Sequence, residues 1–165
     1  MVELIAVGYW RDDHDESLPT PQSLVGAPYL PSVRDGICRY LDSGVRFMGW
    51  LGYSSCRFSC GIPDSQMGVR DLSDGRWVWP EGLSHYVRAH HVLLPEQFLR
   101  SMGDAGWRCP ENQIHPRLVR GADGGSRLLP VDHELWKQWS ASHAVEQGVG
   151  PDGRSPAAPA RRSRP

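Results

Sequence analysis

Lysine is almost missing from this sequence, since Lys137 is the only one in 165 residues and arginine carries the remaining positive charge. Lys137 lies in no glycine-rich loop, so neither a catalytic lysine nor a phosphate-loop lysine is expected. The chain also lacks a basic excess, because 18 Lys and Arg residues stand against 19 Asp and Glu residues. This balance argues against a nucleic acid partner and against binding to a membrane surface.

Long hydrophobic runs are missing as well. The first ten residues include Glu3 but no basic segment, and they lead into the acidic stretch 11–16, which is not the pattern of a secretory signal peptide. No segment approaches the roughly 20 apolar residues of a membrane-spanning helix. We therefore expect a cytoplasmic protein. Its four cysteines are expected to be reduced thiols: Cys38, Cys56, Cys60 and Cys109.

Familiar catalytic motifs are absent from the sequence. It contains no nucleotide-binding glycine loop, no H-E-x-x-H and no G-x-S-x-G. Catalytic groups converge in space rather than in sequence, so this absence does not exclude an enzyme. The leading interpretation is a non-enzymatic binding module without a cofactor. A hydrolase or transferase that uses Cys56 or Cys60 with His85 as its base is an alternative.

Hydrophobic periodicity predicts a single α+β domain over residues 1–146, followed by a disordered Pro/Ala/Arg tail over 147–165. The predicted sheet is small and mostly antiparallel, with helices packed on one face. Its strands are predicted at 2–10, 45–53, 77–79 and 107–109. Helices are predicted at 32–43, 80–90, 95–103 and 132–145. Residues 110–131 are predicted to be rich in loops.

Two cysteines and three histidines form the candidate metal site. Cys56 and Cys60 are four positions apart. His85 and His90 follow on a predicted helix, and His91 comes directly after it. Two thiolates and two imidazoles are a donor set that binds zinc in tetrahedral geometry. The sequence therefore offers a zinc-stabilised domain as an alternative function, with zinc as the cofactor.

The spacing of these residues argues against the zinc interpretation. In an extended strand, positions four apart are separated by about 13 Å, so Cys56 and Cys60 can share an ion only if the chain turns between them. Gly61 lies after the pair and not within it. His85 and His90 are five residues apart, on different faces of a helix, so we expect at most one of them to join His91 or the cysteines.

Aromatic and arginine residues between positions 50 and 90 form the candidate binding surface. The predicted surface consists of Trp50, Tyr53, Arg57, Arg76, Trp77, Trp79 and Tyr86. Tryptophan, tyrosine and arginine dominate the energetics of protein interfaces, so the expected partner is another protein. The alternative is that a helix covers the face shared by Trp77 and Trp79, which makes these residues part of the core.

Two segments of the sequence also carry a resemblance. They are GYSSCRFSCG at 52–61 and LSDGRWVWPEGLSHYV at 72–87. With these segments the chain resembles a family of small uncharacterised bacterial proteins, and the arginine-rich composition is typical of a GC-rich bacterial genome. The likeness covers the middle of the chain as far as Phe98. It implies no activity, ligand or residue role.

Overall fold

The computed structural model describes residues 3–111, 119–120, 126–127 and 129–146. The described part of the chain is an α+β fold, as the sequence predicts. Its helices are α1 (Pro31–Asp42), α2 (Leu83–His90), α3 (Glu96–Asp104) and α4 (Glu134–Glu146). Its strands are β1 (Leu4–Ala6), β2 (Val45–Gly49), β3 (Arg70–Ser73), β4 (Trp77–Pro80), β5 (Val119–Arg120), β6 (Ser126–Arg127) and β7 (Val131–Asp132).

Five of the strands form one sheet in the order β2-β3-β4-β1-β7. β3 pairs antiparallel with both β2 and β4, whereas β1 runs parallel to β4 and to β7. β5 and β6 form a separate two-stranded ladder. One end of the large sheet therefore collects the carboxyl ends of β1, β2, β4 and β7 together with the amino end of β3.

The main core lies between the sheet and the helices, on the face that Trp77 and Trp79 share. Both indoles are fully buried, whereas Val78 belongs to a smaller cluster on the opposite face. The indole N–H of Trp79 donates a hydrogen bond to the Leu41 carbonyl oxygen at 3.1 Å, which joins β4 to the last turn of α1. Phe98 of α3 packs against both indoles, with ring centroids 4.8 and 5.5 Å away. The alternating direction of the side chains along β4 therefore determines which face of the sheet the helices cover.

The structure differs from the sequence predictions at residues 107–109 and 71–73, and the first two predicted strands end earlier than expected, at Ala6 and Gly49. Residues 107–109 were expected to form a strand, but they follow α3 in a turn, where Trp107 has a φ of 60°. Residues 71–73, for which the sequence pattern predicts no strand, form most of β3. The turn itself lies at Asp74 and Gly75, where Asp74 Oδ1 accepts hydrogen bonds from the backbone N–H groups of Arg76 and Trp77 at 2.8 and 2.6 Å. Strand formation here depends on pairing with β2, which a local pattern does not contain.

The remaining predictions concern the chain ends and membrane crossing. The tail predicted at 147–165 lies outside the described residues, as does part of the loop-rich segment 110–131. Among the described helices, none combines the length and the apolar character that crossing a bilayer requires.

Candidate metal centre

The connection between β2 and β3, residues 50–69, carries both candidate cysteines and lies against α2, which carries both candidate histidines. Tyr86 of α2 joins the two elements, because its hydroxyl oxygen accepts a hydrogen bond from the Arg57 backbone N–H at 3.0 Å. On the other side, the Gln22 side-chain amide donates to the Arg57 carbonyl oxygen at 2.7 Å. These contacts fix the backbone next to Cys56.

A tight turn brings the two cysteines together. The Ser59 backbone N–H donates to the Cys56 carbonyl oxygen at 3.0 Å, and Ser59 has a φ of 50°. A residue in this left-handed region reverses the chain direction sharply. Cys56 and Cys60 are therefore not held about 13 Å apart, as they would be in an extended strand. Serine at this turn position gives little sequence signal, because glycine and asparagine are the usual residues there.

Both histidines reach the same point from α2. Their Nε2 atoms are 3.2 Å apart and their ring centroids 5.0 Å apart. The expectation that at most one of them could join the cysteines is therefore wrong. The Cα–Cβ bonds of a helix tilt toward its N-terminus, so the His90 side chain extends back toward His85. The helix ends at His90, because His91 takes the left-handed conformation with a φ of 54°.

The four candidate ligand atoms form a compact group. Cys56 Sγ lies 3.4 Å from His90 Nε2, and Cys60 Sγ lies 3.4 Å from His85 Nε2. All four atoms lie within 4.8 Å of one another. A tetrahedral zinc ion with ordinary bond lengths separates its ligand atoms by about 3.4 Å for two nitrogens, about 3.6 Å for nitrogen and sulfur and about 3.8 Å for two sulfurs. The arrangement therefore needs only small side-chain adjustments to hold a metal ion.

Burial shifts the pKa values of Cys56, His85 and His90. It raises the pKa of the Cys56 thiol, although the backbone N–H groups of Phe58 and Cys60 act in the opposite direction. Burial also lowers the pKa of His85 and of His90. Neutral imidazoles have a lone pair free for a metal ion, and a bound cation offsets the cost of a buried thiolate. The site thus favours the neutral histidine form that a metal needs, and a bound cation would stabilise the thiolate form of Cys56.

Phe58 is the residue of this site that the sequence reasoning missed. Its ring stacks on the His90 imidazole, with centroids 4.1 Å apart and an interplanar angle of 6°. Groups that orient a ligating histidine contribute to metal affinity without touching the ion. The one available signal was the position of Phe58 between the two cysteines, which does not specify a contact with a residue 32 positions later.

The remaining thiols and His91 are not part of the group. Cys38 and Cys109 are free and buried elsewhere in the core. The Cys38 thiol faces the Ser84 carbonyl oxygen at 3.7 Å, and burial raises its pKa. His91 ends α2, and its Nδ1 atom is buried without a hydrogen-bond partner in the described part of the chain. The Cys56, Cys60, His85 and His90 group is the only such cluster among the described residues.

The structure buries part of the candidate binding surface and exposes the rest. Trp77 and Trp79 are buried because the helices cover their face of the sheet, and Tyr86 of α2 is buried in the same core, so none of the three is exposed to a partner. Trp50 and Tyr53 are exposed on the loop that carries the cysteines. The exposed members also include Arg57, on the same loop, and Arg76, which precedes β4 at the other end of the sheet. Only Trp50, Tyr53 and Arg57 are therefore close in the chain and exposed together.

No protein-family model, curated protein or solved structure matches the chain. The function proposed below consequently depends on the geometry of the chain alone.

Proposed function

We propose that Cys56, Cys60, His85 and His90 bind one Zn²⁺ ion and that the chain is a zinc-stabilised domain. The observation that carries the proposal is the convergence of four ligand atoms, each within 4.8 Å of the others, from two elements. Mixed sulfur and nitrogen ligands in tetrahedral arrangement favour zinc over magnesium or calcium, which prefer oxygen.

The proposed zinc site is structural. Four protein ligands complete the coordination of zinc, whereas catalytic zinc sites keep one position for water or substrate. A cysteine hydrolase at this place would need a reactive thiolate, but burial raises the pKa of the Cys56 thiol. Both cysteines also face a histidine at the same 3.4 Å distance, which is the pattern of a shared ligand set and not of one nucleophile with one base.

The connection 50–69 is where a metal ion has most to contribute. Among its twenty residues, only Cys56 and Met67 are buried. So little apolar burial cannot offset the cost of ordering a segment of this length, at about 1–2 kcal/mol per residue for the backbone. A zinc ion held by two residues of the connection and two of α2 supplies the missing stabilisation.

A second candidate function is binding of another protein by this zinc-held connection. The observation that favours it is the exposure of three large apolar side chains next to one another: Trp50, Leu51 and Tyr53 are 57%, 108% and 60% exposed. Exposed aromatic residues beside an arginine, here Arg57, are typical of interface anchors. In this interpretation the zinc ion fixes the backbone that presents the anchors.

The test is the metal content of the purified, untagged protein, measured by elemental analysis together with thermal unfolding in the presence and absence of a chelator. We expect one zinc per chain and a lower melting temperature after chelation. Cys60→Ser, which changes an exposed side chain, should abolish zinc binding, whereas Cys38→Ser should retain one zinc per chain. Zinc-free protein that unfolds cooperatively, with no response to the chelator, would contradict the proposal.

A further inference from the structure

A second concave site lies at the sheet edge where the parallel strands end. Residues that follow three of these strands line one cleft of about 670 Å³: Tyr9 after β1, Leu83 after β4 and His133 after β7. Clefts outside the carboxyl ends of parallel strands are the usual place for ligands in open sheets. None of the four zinc ligands lines this cleft.

Asp71 is the buried carboxylate of the cleft. The antiparallel direction of β3 places Asp71 at this edge, opposite Pro80 of β4. Asp71 is only 5% exposed, and the Tyr9 hydroxyl and the Trp50 indole N–H both face its carboxylate and favour its charged form. Burial outweighs them and raises the pKa of Asp71 to about 6. A carboxylate that is costly to ionise gains from a positively charged partner.

Each of the other charged groups of the cleft lies near a group of opposite sign, and Arg70 forms an ion pair. Arg70 forms a salt bridge with Glu81 at 3.4 Å. The backbone N–H groups of His14 and Asp15 lower the pKa of the Asp12 carboxyl, and the charge of Arg57 adds a smaller effect in the same direction. In the described part of the chain, no salt bridge involves Asp71. The electrostatic complement that the cleft lacks is therefore a cation beside Asp71.

We propose that the cleft binds a small organic cation whose ammonium group donates hydrogen bonds to Asp71 while its apolar part packs against Tyr9, Trp10 and Trp50. These aromatic rings line the cleft around the carboxylate. Their negative faces attract an ammonium group, and the effect is strongest where water is excluded. His133 adds a second polar group, since its Nδ1 atom is buried without a partner among the described residues. Burial lowers the pKa of this histidine, which keeps it neutral beside a cation.

The test uses the purified full chain and three probes of the same shape. Benzylamine is a cation at neutral pH, benzyl alcohol is neutral and benzoate is an anion. The indole N–H signal of Trp50, assigned in the ¹⁵N–¹H spectrum by Trp50→Phe, reports binding at the cleft. We expect a saturable shift with benzylamine, with a Kd of about 1 mM, and at least about tenfold weaker effects with the other two probes.

Asp71→Asn keeps the shape of the side chain and removes its charge, so it should weaken benzylamine binding by at least about tenfold. Asp35→Asn, an exposed carboxylate of α1, should leave binding unchanged. Zinc content and spectral dispersion show whether each variant is folded. If Asp71→Asn does not fold, the comparison of the three probes on the unaltered chain still tests whether the cleft prefers a cation. Equal binding of benzyl alcohol or benzoate, or no saturable shift with benzylamine, would overturn the proposal.

Discussion

The Nε2 atoms of His85 and His90 lie 3.2 Å apart, although five residues separate the two histidines along α2. Two cationic imidazoles cannot stay at this distance, and two neutral ones gain at most one hydrogen bond between them. With Cys56 and Cys60 beside them, the pair is better explained by a shared ion than by a contact between histidines.

The first prediction concerns thiol reactivity. Cys60 is exposed, so in a metal-free site it should be alkylated faster than the buried thiols of Cys38, Cys56 and Cys109. Zinc coordination should reverse this order and protect Cys60 as well as Cys56. Alkylation with iodoacetamide, followed by peptide mass spectrometry before and after chelation, measures the change. Rapid modification of Cys60 in protein that contains one zinc per chain would be inconsistent with its role as a ligand.

The second prediction concerns Phe58. Phe58→Leu removes the ring that stacks on the His90 imidazole at 4.1 Å while leaving an apolar side chain in place. Loss of this orientation should lower zinc affinity by about tenfold. Competition with a chromophoric chelator measures the affinity. Leu51→Ala, on the same connection but fully exposed, is the matched control and should leave zinc affinity unchanged. Equal affinities for Phe58→Leu and the unaltered chain would show that the stack does not position the histidine.

The donor set could be predicted from the sequence, whereas its geometry could not. The residue types and order of Cys56, Cys60, His85 and His90 suffice to nominate a zinc site. The turn at Ser59 and the approach of His90 to His85 depend on contacts between the connection and α2. Backbone direction at these points is therefore decided by tertiary packing, which no local pattern contains.

The fold, like the candidate metal site, could be predicted from the sequence only in part. The helices and the β2 and β4 strands follow from hydrophobic periodicity, and the Trp77 and Trp79 alternation identifies the buried face. The cleft depends on parallel pairing of β1 with β4 and β7, whose residues are far apart in the chain. Asp71 therefore gave no sequence signal as a cleft residue, because only the pairing of β3 places it at that edge.

The third prediction concerns the pH dependence of stability. The folded-state pKa of Asp71 is raised to about 6 from an ordinary value of 3.8, so the folded chain holds this proton more tightly than the unfolded chain. Its contribution is fully present below pH 4 and is lost as the pH rises through 6. A shift of this size corresponds to about 3 kcal/mol. The amide of the Asp71→Asn variant cannot ionise, so this variant does not lose that contribution. Its free energy of unfolding should therefore increase relative to that of the unaltered chain between pH 4 and 7.

Urea unfolding of both proteins at several pH values measures this difference. The Cys56, Cys60, His85 and His90 group is the same in the two chains, so its contribution cancels when they are compared at the same pH. Asp35→Asn, at an exposed position, should show no such trend. A constant difference between Asp71→Asn and the unaltered chain from pH 4 to 7 would mean that burial does not hold the proton on Asp71.

The fourth prediction concerns Trp136, which connects α4 to the cleft. Its buried indole N–H donates to the Tyr9 carbonyl oxygen at 2.7 Å, so Trp136→Phe leaves that carbonyl without its donor and creates a small cavity. We expect a loss of about 2 kcal/mol in the free energy of unfolding. Trp139→Phe is the matched control, because its N–H donates to Glu96 near the surface and should cost less. Tyr9 lines the cleft and not the metal centre, so Trp136→Phe should weaken benzylamine binding while zinc content stays at one per chain. Loss of zinc instead would show that the two sites are coupled through the core.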